Sequence, residues 1–405
     1  MANPYAVIFR EPGAKGFASA AFLARLPVAA APVGIVAMLS QTHGEYWLAG
    51  AVSATFALTN ALAAPQISRL VDRHGQAAIL TPATLLSVAA FIGLLLAANQ
   101  RWATWTLFAF AFLAASMPSI PAMVRARWSE LFRDRPELNT AFAFESAADE
   151  LVYIAGASLS VALSVSLFPE AGILASAILL AVGTAAFVMQ RSTEPPVRTA
   201  SGTVGGSAIR LAPVQIVTLA LIFVGAIFAT AEITSVAFTD ALGQPGSASF
   251  VIGVYAVGSF LVGLVIGALD FKSSLHKRLL IALAVVAATQ VPLLWANTVP
   301  TLAIAVFLSG MAISPTFFTA FGLVERRVPA EMLTEGMTWV FTGIGIGMAF
   351  GSFVAGWVVD AYGAQNGFWV SVAAGVAALA TVFIGQRALS GEEATAENCA
   401  PAPAE

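Results

Sequence analysis

Residues Leu138–Leu163 read LNTAFAFESAADELVYIAGASLSVAL. A helix of this length rises about 39 Å, enough to cross the ~30 Å hydrocarbon core of a bilayer. Glu145, Asp149 and Glu150 nevertheless fall near its middle. An acid at that depth costs about 2.5–3.5 kcal/mol on insertion scales, so three in one span require partners, protons or water. The stretch therefore reads as a transmembrane helix carrying a charge problem that other helices must solve.

The rest of the chain agrees with a membrane setting. Its 405 residues are 59% apolar and only 10% charged, against about 25% charged in soluble domains. Twelve apolar runs are long enough to span, at about 17–40, 47–68, 77–98, 103–124, 138–163, 171–190, 213–238, 248–269, 278–297, 299–323, 334–358 and 366–386. The expected fold class is an all-α polytopic membrane protein with twelve transmembrane helices in two six-helix bundles. The first run outlasts the apolar core of a signal peptide and is read as a retained helix.

Basic residues resist translocation, so their distribution sets orientation. With both termini cytoplasmic, seventeen of the nineteen Lys and Arg lie on inside segments, leaving Arg25 in the first span and Arg101 outside. The location this implies is the plasma (inner) membrane. Gln190–Pro213 is the longest polar break and is rich in Pro, Gly, Ser and Thr. It divides the chain into a bundle at 1–190, a cytoplasmic linker at 191–212 and a second bundle at 213–388, with 389–405 expected to be a disordered acidic tail. An offset of 195 residues brings Phe112-Leu113 onto Phe307-Leu308, Glu130 onto Glu325, Phe144 onto Trp339 and Gly156 onto Gly351. Six spans return the chain to its starting side, so the repeats are parallel.

Several function classes drop out. No basic patch suggests nucleic acid, and a single cysteine, Cys399, excludes an intrachain disulfide. No HExxH or GxSxG occurs, and His43, His74 and His276 lie in or near loops, so neither an enzyme, a cofactor nor a metal is expected. Gly343-Ile-Gly345-Ile-Gly347 lies inside an apolar run and lacks the register of a dinucleotide loop.

Ser68–Gln76 reads SRLVDRHGQ, placing Asp72 and Arg73 on a tight turn at which Gly75 can take positive φ. On charge alone this is equally a solvated positive-inside loop. The stretch resembles the loop signature of the major facilitator superfamily, G-x-x-x-D-R-x-G-R/K-R/K, at the same place between spans two and three. Asp72, Arg73 and Gly75 match it, while Ser68 replaces the leading glycine and Gln76-Ala77 the trailing basic pair. Twelve spans split six and six are similar to the same family, and more narrowly to its bacterial twelve-helix drug-efflux members. The span-four arginine of those members has no counterpart in Trp105–Met123, and their span-five Gly-Pro pair stands here as Gly156-Ala157. The resemblance implies alternating access, with Asp72 and Arg73 latching the outward-open state. Its sliding interface between bundles implies that the four-spaced Gly343, Gly347 and Gly351 pack there.

Arg25 is read as the only base inside a span. Counted from the starts of spans one and five, Arg25, Glu145 and Asp149 lie at similar depths of roughly 10–17 Å. Glu145 and Asp149 are i,i+4 and share a face, with Glu150 turned by about 100°. The group is a structural ion pair joining spans one and five, a titrating site whose proton couples transport, or a site for a charged substrate. Glu232 in span seven either faces the cavity as a further proton or substrate group or reaches water at the outer surface. Thr334 is a candidate cap for span eleven, with Glu335 in its first turn. Phe144, Phe318 and Trp339, with Phe142, Met311, Phe317 and Phe341, line an apolar pocket or simply pack. Pro27, Pro32, Pro65, Pro118, Pro121 and Pro315 free carbonyls within or near the ends of spans that need a cavity or a neighbour.

The combined expectation is a monomeric secondary transporter exporting a small amphipathic or hydrophobic molecule in exchange for protons. The alternatives are a metabolite or sugar carrier, a uniporter, or a non-transporting receptor or scaffold.

Overall fold

The structure, a computed structural model, describes residues 4–43, 46–197, 206–244, 247–266 and 274–390. Most of the expected tail and residues 198–205 of the expected linker lie outside the described residues. The described chain is helical throughout: α1 (Pro4–Ile8), α2 (Ala14–His43), α3 (Tyr46–His74), α4 (Gln76–Asn99), α5 (Thr104–Ala114), α6 (Ile120–Leu131), α7 (Glu137–Ser166), α8 (Ala171–Met189), α9 (Ala212–Ala241), α10 (Ala248–Ile266), α11 (Leu275–Gln290), α12 (Val299–Met311), α13 (Ile313–Arg327), α14 (Leu333–Tyr362) and α15 (Ala364–Ser390). Ten stretches are long and apolar enough to cross a membrane, and shorter apolar helices at Thr104–Ala114 and Phe250–Gly263 fall where the fourth and eighth spans were expected. The fold is an all-helical polytopic membrane architecture.

Two compact units make up the chain. The first comprises Met1–Ser207, Phe260–Leu269 and Ala330–Thr342, and the second Ala208–Ser259, Asp270–Pro329 and Gly343–Glu405. In the first unit, α2 lies against α7 and α8, while α4 packs on α5 and α8. Its apolar core runs through Ile35, Met38, Leu39, Val52, Phe56, Phe91 and Leu94. Close approach depends on small residues, the usual device where lipid supplies no hydrophobic drive between helices. A Cβ on Gly156 of α7 would stand 2.7 Å from the Leu26 carbonyl of α2, and one on Gly183 of α8 would stand 2.7 Å from the Ala24 Cα.

The expected fourth span is not one helix. It breaks between α5 and α6 at residues 115–119, with Pro118 in the gap and Pro121 in the first turn of α6. The freed carbonyls find donors: Asn60 of α3 gives its side-chain amide to Ala115 (2.9 Å) and Met117 (3.2 Å), and the Ser87 hydroxyl reaches Ala114. The break satisfies the requirement that non-helical backbone at membrane depth be covered by protein.

In the second unit, α9 packs along α15, and α11 lies against α13 and α15. Gly343, Gly347 and Gly351 form one smooth face, as their spacing predicts, but that face is applied to α9 of their own unit. A Cβ there would meet the Thr218 carbonyl at 2.7 Å, the Ile222 backbone, and the Ala226 Cα at 2.5 Å. Spacing fixes that a helix approaches closely, not which helix; within this unit the approaching helix is α9. Gly347→Leu is expected to cost more than about 3 kcal/mol, because the obstacle is backbone rather than a movable side chain; thermal unfolding of detergent-solubilised protein measures it.

Candidate functional site

The acids of α7 meet α2 and α6. Glu145, Asp149, Val152 and Gly156 lie along one face of α7, and Arg25 of α2 reaches Glu145 Oε2 with Nη2 (2.5 Å) and Asp149 Oδ1 with Nη1 (2.7 Å). Because Leu26 and Ala29 meet Gly156 further along, α2 and α7 run parallel. The remaining two carboxylate oxygens are also taken. Arg125 Nη2 donates to Asp149 Oδ2 (2.7 Å), and the Trp128 indole N–H donates to Glu145 Oε1 (2.8 Å). Arg25, Arg125, Trp128 and Glu145 expose 1% or less of their surface and Asp149 7%. Two positive and two negative charges thus share one dry site with every carboxylate oxygen engaged, the condition under which buried ion pairs repay their desolvation.

Arg25 is therefore not the only base at depth. Arg125 and Arg127, counted by sequence as loop residues, are wholly buried on α6. Helix α6 runs past the expected end of the span at residue 124, to Leu131, and carries both arginines on its buried face. The two prolines at the break were the available signal. Arg127 donates Nε–H to Gln76 (2.8 Å) and Nη1–H to the Gln190 carbonyl (2.9 Å) and the Thr193 hydroxyl (2.8 Å). Its guanidinium lies 3.8 Å from the Phe187 ring centroid. The arginine joins α4, α6 and α8 to the segment that follows α8.

A second cluster lies where α3 ends and α14 begins, within the first unit. Asp72 accepts from the backbone N–H of Thr334 (3.2 Å) and Glu335 (2.8 Å). The cap of α14 is thus a carboxylate from another helix rather than the Thr334 side chain, placing negative charge at the positive end of the helix. Below it, the Ser68 and Thr338 hydroxyls are bonded at 2.7 Å and Thr342 donates to the Ala61 carbonyl at 3.2 Å. Glu335 is buried, accepts from Ser207 and Trp339, and lies 3.9 Å from Arg69. Arg69 also donates to the Gly206 carbonyl at 3.1 Å. Gly75 has φ +91° and opens α4. Arg73, expected to act beside Asp72, is exposed and makes no ion pair among the described residues; Arg69, one turn earlier, holds the position beside Glu335 instead.

Glu150 is buried on α7. Phe144 lies edge-on under Phe9, with centroids 5.0 Å apart, Phe318 is buried in α13, and Trp339 is bonded to Glu335. Glu232 differs from the α7 acids. It is exposed and has no hydrogen bond or ion pair among the described residues. No group of three or more His, Cys, Asp or Glu able to hold a metal occurs among the described residues.

Comparison with known proteins places these features in a family. The family model of the Major Facilitator Superfamily matches residues 17–269 and 217–404. No curated protein matches the chain by sequence. Among solved structures, a bacterial homologue of the iron transporter ferroportin in its outward-facing state is similar over 92% of this chain and 98% of its own, at 15% identity and a TM-score of 0.73. The human organic anion transporter MFSD10 (TETRAN) is similar over 93% and 100%, at 15% identity and 0.69. The E. coli fucose:proton symporter FucP is similar over 91% and 98%, at 17% identity and 0.66.

Two substitutions separate buried from exposed charge. Arg125→Ala strips one oxygen of a buried carboxylate and is expected to cost about 3–5 kcal/mol, whereas Arg73→Ala changes stability by less than about 0.5 kcal/mol. Thermal denaturation of the two purified variants checks the contrast.

Proposed function

The chain belongs to the major facilitator superfamily, whose members are secondary transporters, and from that premise we propose that it exports a small amphipathic or hydrophobic compound across the inner (plasma) membrane in exchange for protons. Both termini lie in the cytoplasm in this reading, the working unit is a monomer, and the mechanism is alternating access. The matched transporters carry titles as different as iron, organic anion and fucose:proton transport. At these identities the likeness carries fold alone, so no substrate transfers from them.

The observation that carries proton coupling is the contrast among the intramembrane acids. Glu145 and Asp149 have all four oxygens bonded to Arg25, Arg125 and Trp128; protonating either one breaks a buried ion pair. Glu232, on α9, is exposed and has no partner among the described residues. An unpaired carboxylate within a span calls for a proton, water or a cationic ligand. We assign the exchangeable proton to Glu232 and a joining role to the Arg25, Arg125, Glu145 and Asp149 group, with Glu150 beside it. One proton moving down 100 mV supplies ~2.3 kcal/mol. That drives roughly fifty-fold accumulation.

The Asp72 cap on α14 is assigned to the latch. Its strength rests on a charge facing helix N–H groups, so it breaks and re-forms without desolvating a second charge. Asp72→Ala is expected to remove about 0.5–2 kcal/mol from the state that contains the contact and so to shift the cycle towards the state that lacks it. Accessibility of an engineered cysteine at Thr338, in a Cys399→Ser background, reads the shift.

In liposomes loaded with the lipophilic dyes ethidium or Hoechst 33342, the wild-type protein is expected to move dye faster when a pH gradient is imposed. Glu232→Gln retains downhill movement and loses the response to the gradient. Glu145→Gln and Asp149→Asn lower the amount of folded protein instead. Full pH-driven transport by Glu232→Gln, or flux indifferent to pH in the wild type, overturns the assignment.

A further inference from the structure

The charge cluster of α2, α6 and α7 is covered on one side by the N-terminal segment and the first turn of α2. Between α1 and α2 the chain turns back on itself: Arg10 N–H bonds to the Val7 carbonyl at 3.1 Å, Ala14 N–H to Glu11 at 3.1 Å, and Phe17 N–H to Gly13 at 3.0 Å. Gly13 makes the turn at φ +84°, beside Thr193. Ile8 is fully buried although it lies only four residues into the described chain.

Two aromatic layers then lead inward. Phe9 lies edge-on to Phe144 at 5.0 Å and to Trp128 at 6.1 Å. Trp128 is stacked on Phe132 at 5.6 Å and meets Phe17 edge-on at 4.5 Å. The indole N–H of that same Trp128 holds Glu145. From solvent to carboxylate the sequence of groups is Phe9, then Phe144 and Trp128, then Glu145. An ion pair at the rim, Glu11 to Arg135 at 2.8 Å, pins the segment to the turn between α6 and α7.

We propose that residues 4–17 are a lid that seals the Arg25, Arg125, Glu145 and Asp149 cluster from water entering at this end of the bundle. A buried ion-pair group keeps its strength only while dry, because attraction between charges falls steeply as the surroundings become water-like. The lid supplies that dryness with edge-on rings, which close a gap without presenting polar atoms of their own. It is fastened by apolar contact, with the exposed Glu11–Arg135 pair contributing little. The inference concerns access to the cluster and holds whichever group carries the proton.

The test uses Ala141, which is fully buried and one turn from Glu145 on the same face. Ala141→Cys is introduced in a full-length Cys399→Ser chain, and its reaction with a cationic methanethiosulfonate reagent is timed in detergent solution, where sidedness has no influence. Lys15→Cys, at an exposed position, is the reference. The parent is expected to react at least a hundredfold more slowly than the reference, and Phe9→Ala or deletion of residues 2–11 to accelerate it tenfold or more. Glu11→Gln, a surface change that leaves the fold alone, changes the rate by less than about threefold. If the deleted chain aggregates, the Phe9→Ala rate decides. A parent as reactive as the reference overturns the proposal, as does a Phe9→Ala rate equal to that of the parent.

Discussion

The structure depends on how a low-dielectric interior tolerates charge. Glu145 and Asp149 sit where an unpaired carboxylate is costly, and four donors meet their four oxygens: two nitrogens of Arg25, one of Arg125 and the indole of Trp128. The donors come from α2 and α6, so satisfying α7 fixes three helices against one another. Gly156 then allows α7 to lie on α2 at backbone distance. Polar satisfaction and close packing therefore act on the same face of the same helix, one turn after another.

The same rule explains the break in the fourth span and the start of α14. Prolines open the backbone between α5 and α6, and Asn60 and Ser87 close the resulting carbonyls. What the break achieves is a change of course that carries Arg125 and Trp128 to α7. At α14 the unmet groups are N–H donors, and Asp72 meets two of them. A carboxylate facing a helix terminus is held more loosely than one between two arginines, which suits a contact made and released in a cycle. The two clusters thus differ in kind: one pairs charges across three helices, the other sets a charge against backbone N–H groups.

Much of this was legible in the sequence, and the illegible parts share a cause. Apolar run length gave the spans, and equal depth together with i,i+4 spacing brought Arg25 to Glu145 and Asp149. Arg125 was missed because the apolar run ends near residue 124, whereas α6 continues to Leu131 with Arg125 buried among its neighbours. The loop around Asp72 was recognisable by its pattern, but its partners are backbone N–H groups more than 260 residues away, and backbone groups leave no mark in a sequence. For Gly343, Gly347 and Gly351 the spacing declared a close approach without declaring that α9 makes it. Local periodicity survives folding; the identity of a distant partner has to be seen.

The central claim is that Glu145 and Asp149 form a paired set that keeps its charge, whereas Glu232 on α9 exchanges a proton. Infrared difference spectroscopy of the reconstituted protein across the neutral pH range reads carboxyl protonation directly. The account predicts one carbonyl band of a protonated carboxylic acid that appears on acidification and is absent from Glu232→Gln. A band that persists unchanged in Glu232→Gln and disappears in Asp149→Asn or Glu145→Gln would contradict it.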